Sequence, residues 1–317
     1  MYILISPFFK SFNDTWLTYH VPSFLKWNIK KWIIVEIPFK DKIEYWIILN
    51  ILWAEDITDL NESKIKSIIN IHNENRFLSK YRKTLLKWIA KYYFTPIHNS
   101  NSLFFPKNLV DKIKKNKIDL TNTRDLQYNF DHKITFSEDQ DKAYKKIKKS
   151  KNNKILFHGI TWSWKTEIYI KLIKDNLEQQ KQSLLMIPEI ILTNQIAEKI
   201  KNTFWNDVII INSTVTNATK TKYWLDINAN KAKIVIWTRS ALFYPYNNLW
   251  LIIIDEEHDN SYISDQAPRY NTIEVAEKIT ELNCNRLILA SWTPRVESMY
   301  KALKKEFDLV SLLKKYS

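Results

Sequence analysis

Lys165-Thr166 and Asp255-Glu256-Glu257-His258 are the residues whose types and spacing best suit chemistry. The first pair ends a loop that leaves an apolar run, Ile155–Phe157, and reads HGITWSWKT. Gly159, Lys165 and Thr166 stand where the phosphate-binding pattern G-x-x-x-x-G-K-[ST] has them. In that pattern the backbone N–H groups of Gly159, Ile160, Thr161, Trp162, Ser163 and Trp164 would curl round a phosphate. Lys165 would reach the β- and γ-phosphates, and the Thr166 hydroxyl would ligate Mg²⁺. The second group follows a hydrophobic run, Leu251–Ile254. Asp255 would hold Mg²⁺, directly or through water, and Glu256 would orient and deprotonate an attacking water. An acidic pair alone reads as a helix N-terminus favoured by the helix dipole. The lysine-threonine pair, 90 positions upstream, favours ATP hydrolysis with Mg²⁺ instead. His258 is then a candidate link between nucleotide and nucleic acid.

One position breaks the pattern. The second glycine of the loop is Trp164, and an indole there or at Trp162 would fill the anion's space; a bulky residue also resists the left-handed backbone that glycine permits. The chain has 1 Gly and 13 Trp in 317 residues, against roughly 22 glycines at average usage of about 7%. Trp recurs in turn-like contexts, KWNIKKW, FWND, VIWTRS, NLWL and ASWTP. Most of these positions are therefore expected to be glycine in the organism, since some bacterial lineages read UGA as glycine. UGA codons are expected at 162, 164, 237, 250 and 292. Trp27, Trp32 and Trp46 fall at expected turns or strand starts, whereas Trp88 lies on an apolar helix face and is expected to be a true tryptophan.

These residues need elements to hold them. Strand candidates Lys154–Phe157, Leu184–Ile187, Val208–Ile211, Ile234–Ile236, Leu251–Ile254 and Leu287–Ala290 alternate with helical stretches, which implies an α/β fold with a parallel sheet. Ligands on such sheets bind beyond the carboxyl ends of the strands, where both motifs fall. Residues 1–106 read as a β-rich domain. An apolar first strand and the runs Leu17–Val21, Ile33–Ile37 and Tyr45–Leu52 alternate with turns; Ile65–Ile71 and Leu85–Tyr93 carry helical spacing. Residues 107–134, rich in Lys and Asn, read as a linker or remnant domain, and 135–317 as the α/β domain. Seven lysines between Lys142 and Lys154 read best as a solvated helix face.

A net charge of +14 favours a polyanionic partner, although an AT-rich genome inflates lysine by itself. The single Cys284 excludes a disulfide framework and a cysteine zinc site within the chain and fits a reducing cytoplasm. No apolar run is long enough to span a bilayer as a helix.

Read with glycine at the Trp positions, HGITWSWKTEIYI, MIPEIILTNQIAEKI, KIVIWTRSALFYPYNNLWLIIIDEEHDNSYISDQAPRYN and LILASWTPRVESMY resemble, in order and spacing, the first motor lobe of the bacterial replication-restart helicase family PriA (primosomal protein N′). The likeness runs from about Phe136 to the last residue. TYHVPSFLKWNIKKWIIVEIPF and LLKWIAKYYFTPI resemble that family's amino-terminal DNA-binding domain. The resemblance implies a RecA-like P-loop lobe and a superfamily 2, 3′-to-5′ ATP-dependent DNA helicase. It would act at stalled or branched forks, with single-stranded DNA, primosome proteins and single-strand-binding protein as partners. It implies Gln140 on the adenine; Glu189, Thr238, Arg239 and Ser240 along single-stranded DNA; Tyr262, Gln266, Arg269 and Tyr270 in an aromatic-rich loop coupling DNA to hydrolysis; and Ser291-Trp292-Thr293 linking hydrolysis to lobe movement. It also implies true tryptophan at 88 and 224, with Trp16 and Trp53 open.

The departures set further expectations. Thr18 stands where some members have an Asp in a pocket for a DNA 3′ end. Residues 107–134 are too few for the family's winged-helix domain. The chain stops after the third motor segment, so the second lobe, its arginine finger and a cysteine-rich zinc module are expected in a missing carboxyl-terminal part. A fragment with Trp162 and Trp164 in its loop is expected neither to bind ATP nor to unwind DNA. The rival reading is a non-enzymatic DNA-binding remnant of a helicase.

Overall fold

The computed structural model describes residues 1–7, 17–57, 65–73, 78–106, 108–114, 135–159, 164–188, 195–204, 208–211, 215–237 and 239–312. The chain divides into two compact units, Met1–Ile118 and Asp119–Ser317.

The first unit is built on an antiparallel five-stranded sheet. Its strands are β1 (Tyr2–Ser6), β2 (Leu17–His20), β3 (Ile34–Phe39), β4 (Lys42–Leu52) and β5 (Asn70–Asn73), in the order β2-β1-β4-β3-β5. Alternating side chains put Ile3, Ile5, Val35, Ile37, Trp46 and Ile48 into one core. Helices α1 (Lys80–Tyr92), α2 (Ile97–Phe104) and α3 (Leu109–Lys114) follow. The last lies within the stretch expected as a linker, and Leu109 is buried. Ile65–Ile71 is extended rather than helical. Its backbone pairs with the edges of β2 and β3, Ile68 N–H donating to the His20 carbonyl and Ile69 N–H to that of Glu36; those bonds outweigh a three-residue apolar spacing.

The tryptophans of this unit separate by environment. Trp46 is not at a strand start. It sits within β4, 1% exposed, with its ring 5.0 Å from that of Phe39, so the expected placement at a turn or strand start is corrected. Trp32 is buried at φ 74°, a left-handed backbone that a bulky residue adopts only under strain. Trp27 is 92% exposed on a short 3-10 turn. Trp88 on α1 stacks on Tyr92 at 4.7 Å.

The second unit is a seven-stranded, wholly parallel sheet flanked by helices. In chain order its elements are α4 (Glu138–Lys149), β6 (Lys154–Gly159), α5 (Trp164–Glu178), β7 (Gln182–Met186), α6 (Gln195–Phe204), β8 (Val208–Ile210), α7 (Asn217–Asn228), β9 (Ile234–Trp237), β10 (Leu249–Ile254), α8 (Thr272–Asn283), β11 (Arg286–Ser291), α9 (Val296–Leu303) and β12 (Asp308–Leu312). The strand order is β12-β6-β11-β10-β7-β9-β8, with every pairing parallel. The six expected strands are all present; β12, on the edge beside β6, was not foreseen. The sheet's core includes Ile155, Phe157, Ile168, Ile173, Leu185, Ile236, Ile253 and Ile288. Trp224 is 1% exposed inside α7, as a true tryptophan would be.

Four of the seven lysines in the run are paired with acids of the same unit. Lys142 and Lys145 meet Glu138 and Asp141 one turn back, Lys148 meets Asp175 at 2.9 Å, and Lys154 meets Glu281 at 2.9 Å. The charge of these four lysines is met within the second unit.

Candidate active site

Strands β6 and β10, on either side of β11, deliver their chemistry at the same end of the sheet, because the strands of a parallel sheet expose their carboxyl ends together. Gly159 closes β6 and α5 begins at Trp164; Ile160, Thr161, Trp162 and Ser163 lie outside the described residues. At Gly159 an added Cβ would come 3.4 Å from the Lys165 side chain, so the lysine stem lies against the strand end. Lys165 and Thr166, in the first turn of α5, are both buried.

Lys165 Nζ lies 2.7 Å from Glu256 Oε1 and 3.4 Å from Asp255 Oδ1. The two motifs, remote in sequence, form one buried charge cluster. Tyr169, one helical turn after Lys165, donates its hydroxyl to Asp255 Oδ1 at 2.8 Å, and the Tyr262 hydroxyl donates to the Asp255 carbonyl at 2.7 Å. Asp255 is thus fixed through side chain and backbone alike. Burial pushes its carboxyl above the usual carboxylate range, against the pull of the Lys165 ammonium. Burial, and then the Asp255 charge, raises the Tyr169 hydroxyl well above its ordinary value, so it stays a donor. Glu256 takes a left-handed backbone, φ 46°, costing about 1–2 kcal/mol. The turn it makes sends Glu256 toward Lys165 while Glu257 faces the other way. Glu256 Oε2 is buried with no hydrogen bond among the described residues.

His258 Nδ1 lies 2.8 Å from Ser291 Oγ, and that hydroxyl also accepts from the Thr293 N–H at 3.0 Å. The acidic turn is thereby joined to Ser291-Trp292-Thr293, whose Trp292 is half-exposed. His158, at the end of β6, meets the Trp292 carbonyl at 3.0 Å.

Several residues expected at DNA or nucleotide are occupied otherwise. Tyr262 is 1% exposed and Tyr270 3%; Tyr270 packs edge-on against Phe243 at 4.9 Å. Neither ring face is open to a base, so both hold the loop rather than stack. Arg239 donates from Nη1 to the Ser261 and Ile263 carbonyls, at 3.2 and 2.6 Å, and so helps to fix the loop. Gln140 is buried, and its carboxamide oxygen accepts from the Ser137 N–H at 2.8 Å in a capping box that starts α4. Gln266 and Arg269 are exposed on the same loop, and Ser240 is half-buried in the 3-10 turn Arg239–Phe243. Glu189 and Thr238 lie outside the described residues. Sequence reasoning did not single out Tyr169 and gave Glu257, named within the acidic motif, no role of its own. Tyr169 could have been found from its one-turn spacing after Lys165, while Glu257 has no signal beyond being a third acid beside two useful ones.

Residues 137–301 match the DEAD/DEAH box helicase family. The chain belongs to the DEAD/DEAH box helicases. Ahead of the helicase match, residues 8–106 match the 3′DNA-binding domain of PriA. The helicase chain is 34% identical over 302 residues to the replication restart protein PriA of Rickettsia felis, covering 95% of this chain and 44% of that protein. It is 32% identical to the Helicobacter pylori PriA over 93% of this chain and 44% of that one. Against the Bacillus subtilis PriA it is 37% identical over 56% of this chain and 23% of the relative. The chain thus spans less than half the length of these relatives. Among the described residues no helix is long and apolar enough to cross a membrane.

Proposed function

We propose that the chain comprises the DNA-binding unit and first motor lobe of an ATP- and Mg²⁺-dependent DNA helicase acting in replication restart at stalled or branched forks. The observation that carries this is the buried cluster of Lys165, Asp255 and Glu256, set at the carboxyl edge of a parallel sheet in a DEAD/DEAH box helicase. The donor set fits the group it would hold. A hard divalent cation bound with phosphate takes a hydroxyl and one or two carboxylates, and Thr166 and Asp255 are those residues. Glu256 Oε2, buried and without a hydrogen bond among the described residues, with His258 Nδ1 3.6 Å away, supplies an acceptor for a water proton. Mg²⁺, when bound, would neutralise charge developing on the transferred phosphoryl group.

The chain's own residues do the rest. Lys165 leaves Glu256 to hold phosphate oxygens. Tyr169 and Tyr262 keep Asp255 in one orientation. Glu256, once released, orients a water and takes its proton. His258 and Ser291 link that turn to the segment after β11. Exposed Gln266 and Arg269 meet the phosphates of a single strand, contacts that set affinity without reading sequence. Forks, primosome proteins and single-strand-binding protein are the partners this reading carries.

The reading includes glycine in place of tryptophan at 32, 162, 164, 237, 250 and 292 in the native protein, with Trp46, Trp88 and Trp224 retained. Strain at Trp32 and the register shift beside the exposed Trp250 in β10 support it. Two measurements test the proposal. A mass spectrum of the native peptide spanning Thr161–Lys165 should show glycine twice. ATP hydrolysis by the native protein should require Mg²⁺ and rise with single-stranded DNA; a Mg²⁺-independent or undetectable activity would exclude the helicase reading.

A further inference from the structure

We propose that Glu257 is a positioning residue that fastens helix α9 to the acidic turn, so that α9 follows the state of the nucleotide site. This rests on the function proposed above. Glu257 is fully buried, yet it makes no contact with Lys165. Its Oε1 accepts from the Arg295 N–H at 2.7 Å and its Oε2 accepts from the Ser298 hydroxyl at 3.1 Å. Its own N–H donates to the Ala290 carbonyl at 3.0 Å.

Helix α9 needs this acceptor. A helix begins with four N–H groups that lack partners, and the N-cap position is usually a short residue whose oxygen accepts one of them. Here the N-cap is Arg295, which makes no side-chain cap bond and has no acceptor to offer. In a capping box the third helical residue reaches back to the N-cap N–H. In α9 that third residue is Ser298, which donates instead, and a carboxylate from a different element completes the box. The rest of the helix is held on one side only, by buried Ala302 and the Lys301–Glu277 ion pair at 2.5 Å, while Val296 is 83% exposed, Tyr300 57% and Leu303 73%.

The geometry makes the coupling rigid. Glu256 and Glu257 are adjacent on one left-handed turn, Glu256 facing Lys165 and Glu257 facing α9. Rotation of that turn when Lys165 releases Glu256 is transmitted through two hydrogen bonds to the start of α9. The His258–Ser291 contact is a separate tie that ends on β11, short of the helix.

Hydrogen exchange of the 292–303 segment in the native protein, with and without Mg²⁺ and a non-hydrolysable ATP analogue, tests the link without any substitution. Exchange is expected to change on nucleotide binding. In Glu257→Ala it should be roughly tenfold faster and indifferent to nucleotide, as loss of a buried hydrogen-bond acceptor implies. DNA stimulation of hydrolysis should fall toward the basal rate, with the basal rate kept. Glu257→Gln, whose carboxamide can accept from Arg295 and donate to Ser298, should restore both. Analogue binding that leaves the wild-type segment unmoved would overturn the inference alone, as would Glu257→Ala behaving like wild type. Failure of the wild-type protein to bind the analogue would remove the functional reading and this inference together.

Discussion

Lys165, Asp255 and Glu256 bring one positive and two negative charges together out of water, and each substitution there has a different expected outcome. Glu256→Gln should retain nucleotide binding and lower hydrolysis by about 10²–10⁴-fold, the contribution of a positioned general base, as single-turnover kinetics would measure. Lys165→Ala leaves two buried carboxylates facing each other. It should abolish binding and also cost about 3–5 kcal/mol of stability, read by denaturant unfolding. Glu257 gives a pH test. Burial raises its folded pKa above the ordinary carboxylate value, partly offset by the Arg295 N–H, so the folded state favours the proton. Stability from that site is fully present below the ordinary value and is lost as pH rises through the raised one. Glu257→Gln carries no such loss. Its melting temperature should therefore gain on wild type as pH rises through that window, and match it more nearly in acid; a difference independent of pH would contradict the assignment.

The elements of the motor unit were legible because buried parallel strands are short apolar runs and their helices fill the gaps; all six expected strands formed. β12 escaped notice because Asp308–Leu312 carries charged and half-buried positions, as an edge strand does. Ile65–Ile71 was misread because apolar spacing over one turn does not reveal a neighbouring strand edge with open N–H and C=O groups. Tyr262, Tyr270 and Arg239 were expected along DNA or in its coupling loop from the family resemblance. A resemblance in sequence does not disclose that the loop needs them for its own support. Trp46 was misplaced for a related reason: a strand's inward face cannot be told from a turn when composition has already made every tryptophan suspect. Calorimetry separates the two kinds. Trp46→Ala should cost about 3–5 kcal/mol as a large buried side chain, whereas Trp27→Gly at an exposed site should stay within about 0.5 kcal/mol.

At the level of the whole molecule, a net charge of +14 accompanies a family match that begins with a DNA-binding domain, yet much of the lysine on α4 is spent on internal pairs. DNA affinity should fall with salt at a log–log slope of about −0.7 per phosphate neutralised on single strands. Arg269→Ala should reduce the slope's magnitude by about one phosphate's share, and Arg239→Ala should leave the slope unchanged while loosening the loop to proteolysis. Salt titrations by fluorescence anisotropy distinguish the two arginines directly. Equal slope changes would place Arg239 on the nucleic acid after all.

The ion pair between Lys165 and Glu256 has a consequence for the idle motor. The cation that would grip fuel and the base that would spend it neutralise each other at 2.7 Å. In the function proposed, an arriving triphosphate would separate them, and the same act that seats it would set the base free, so that loading and arming would be one event.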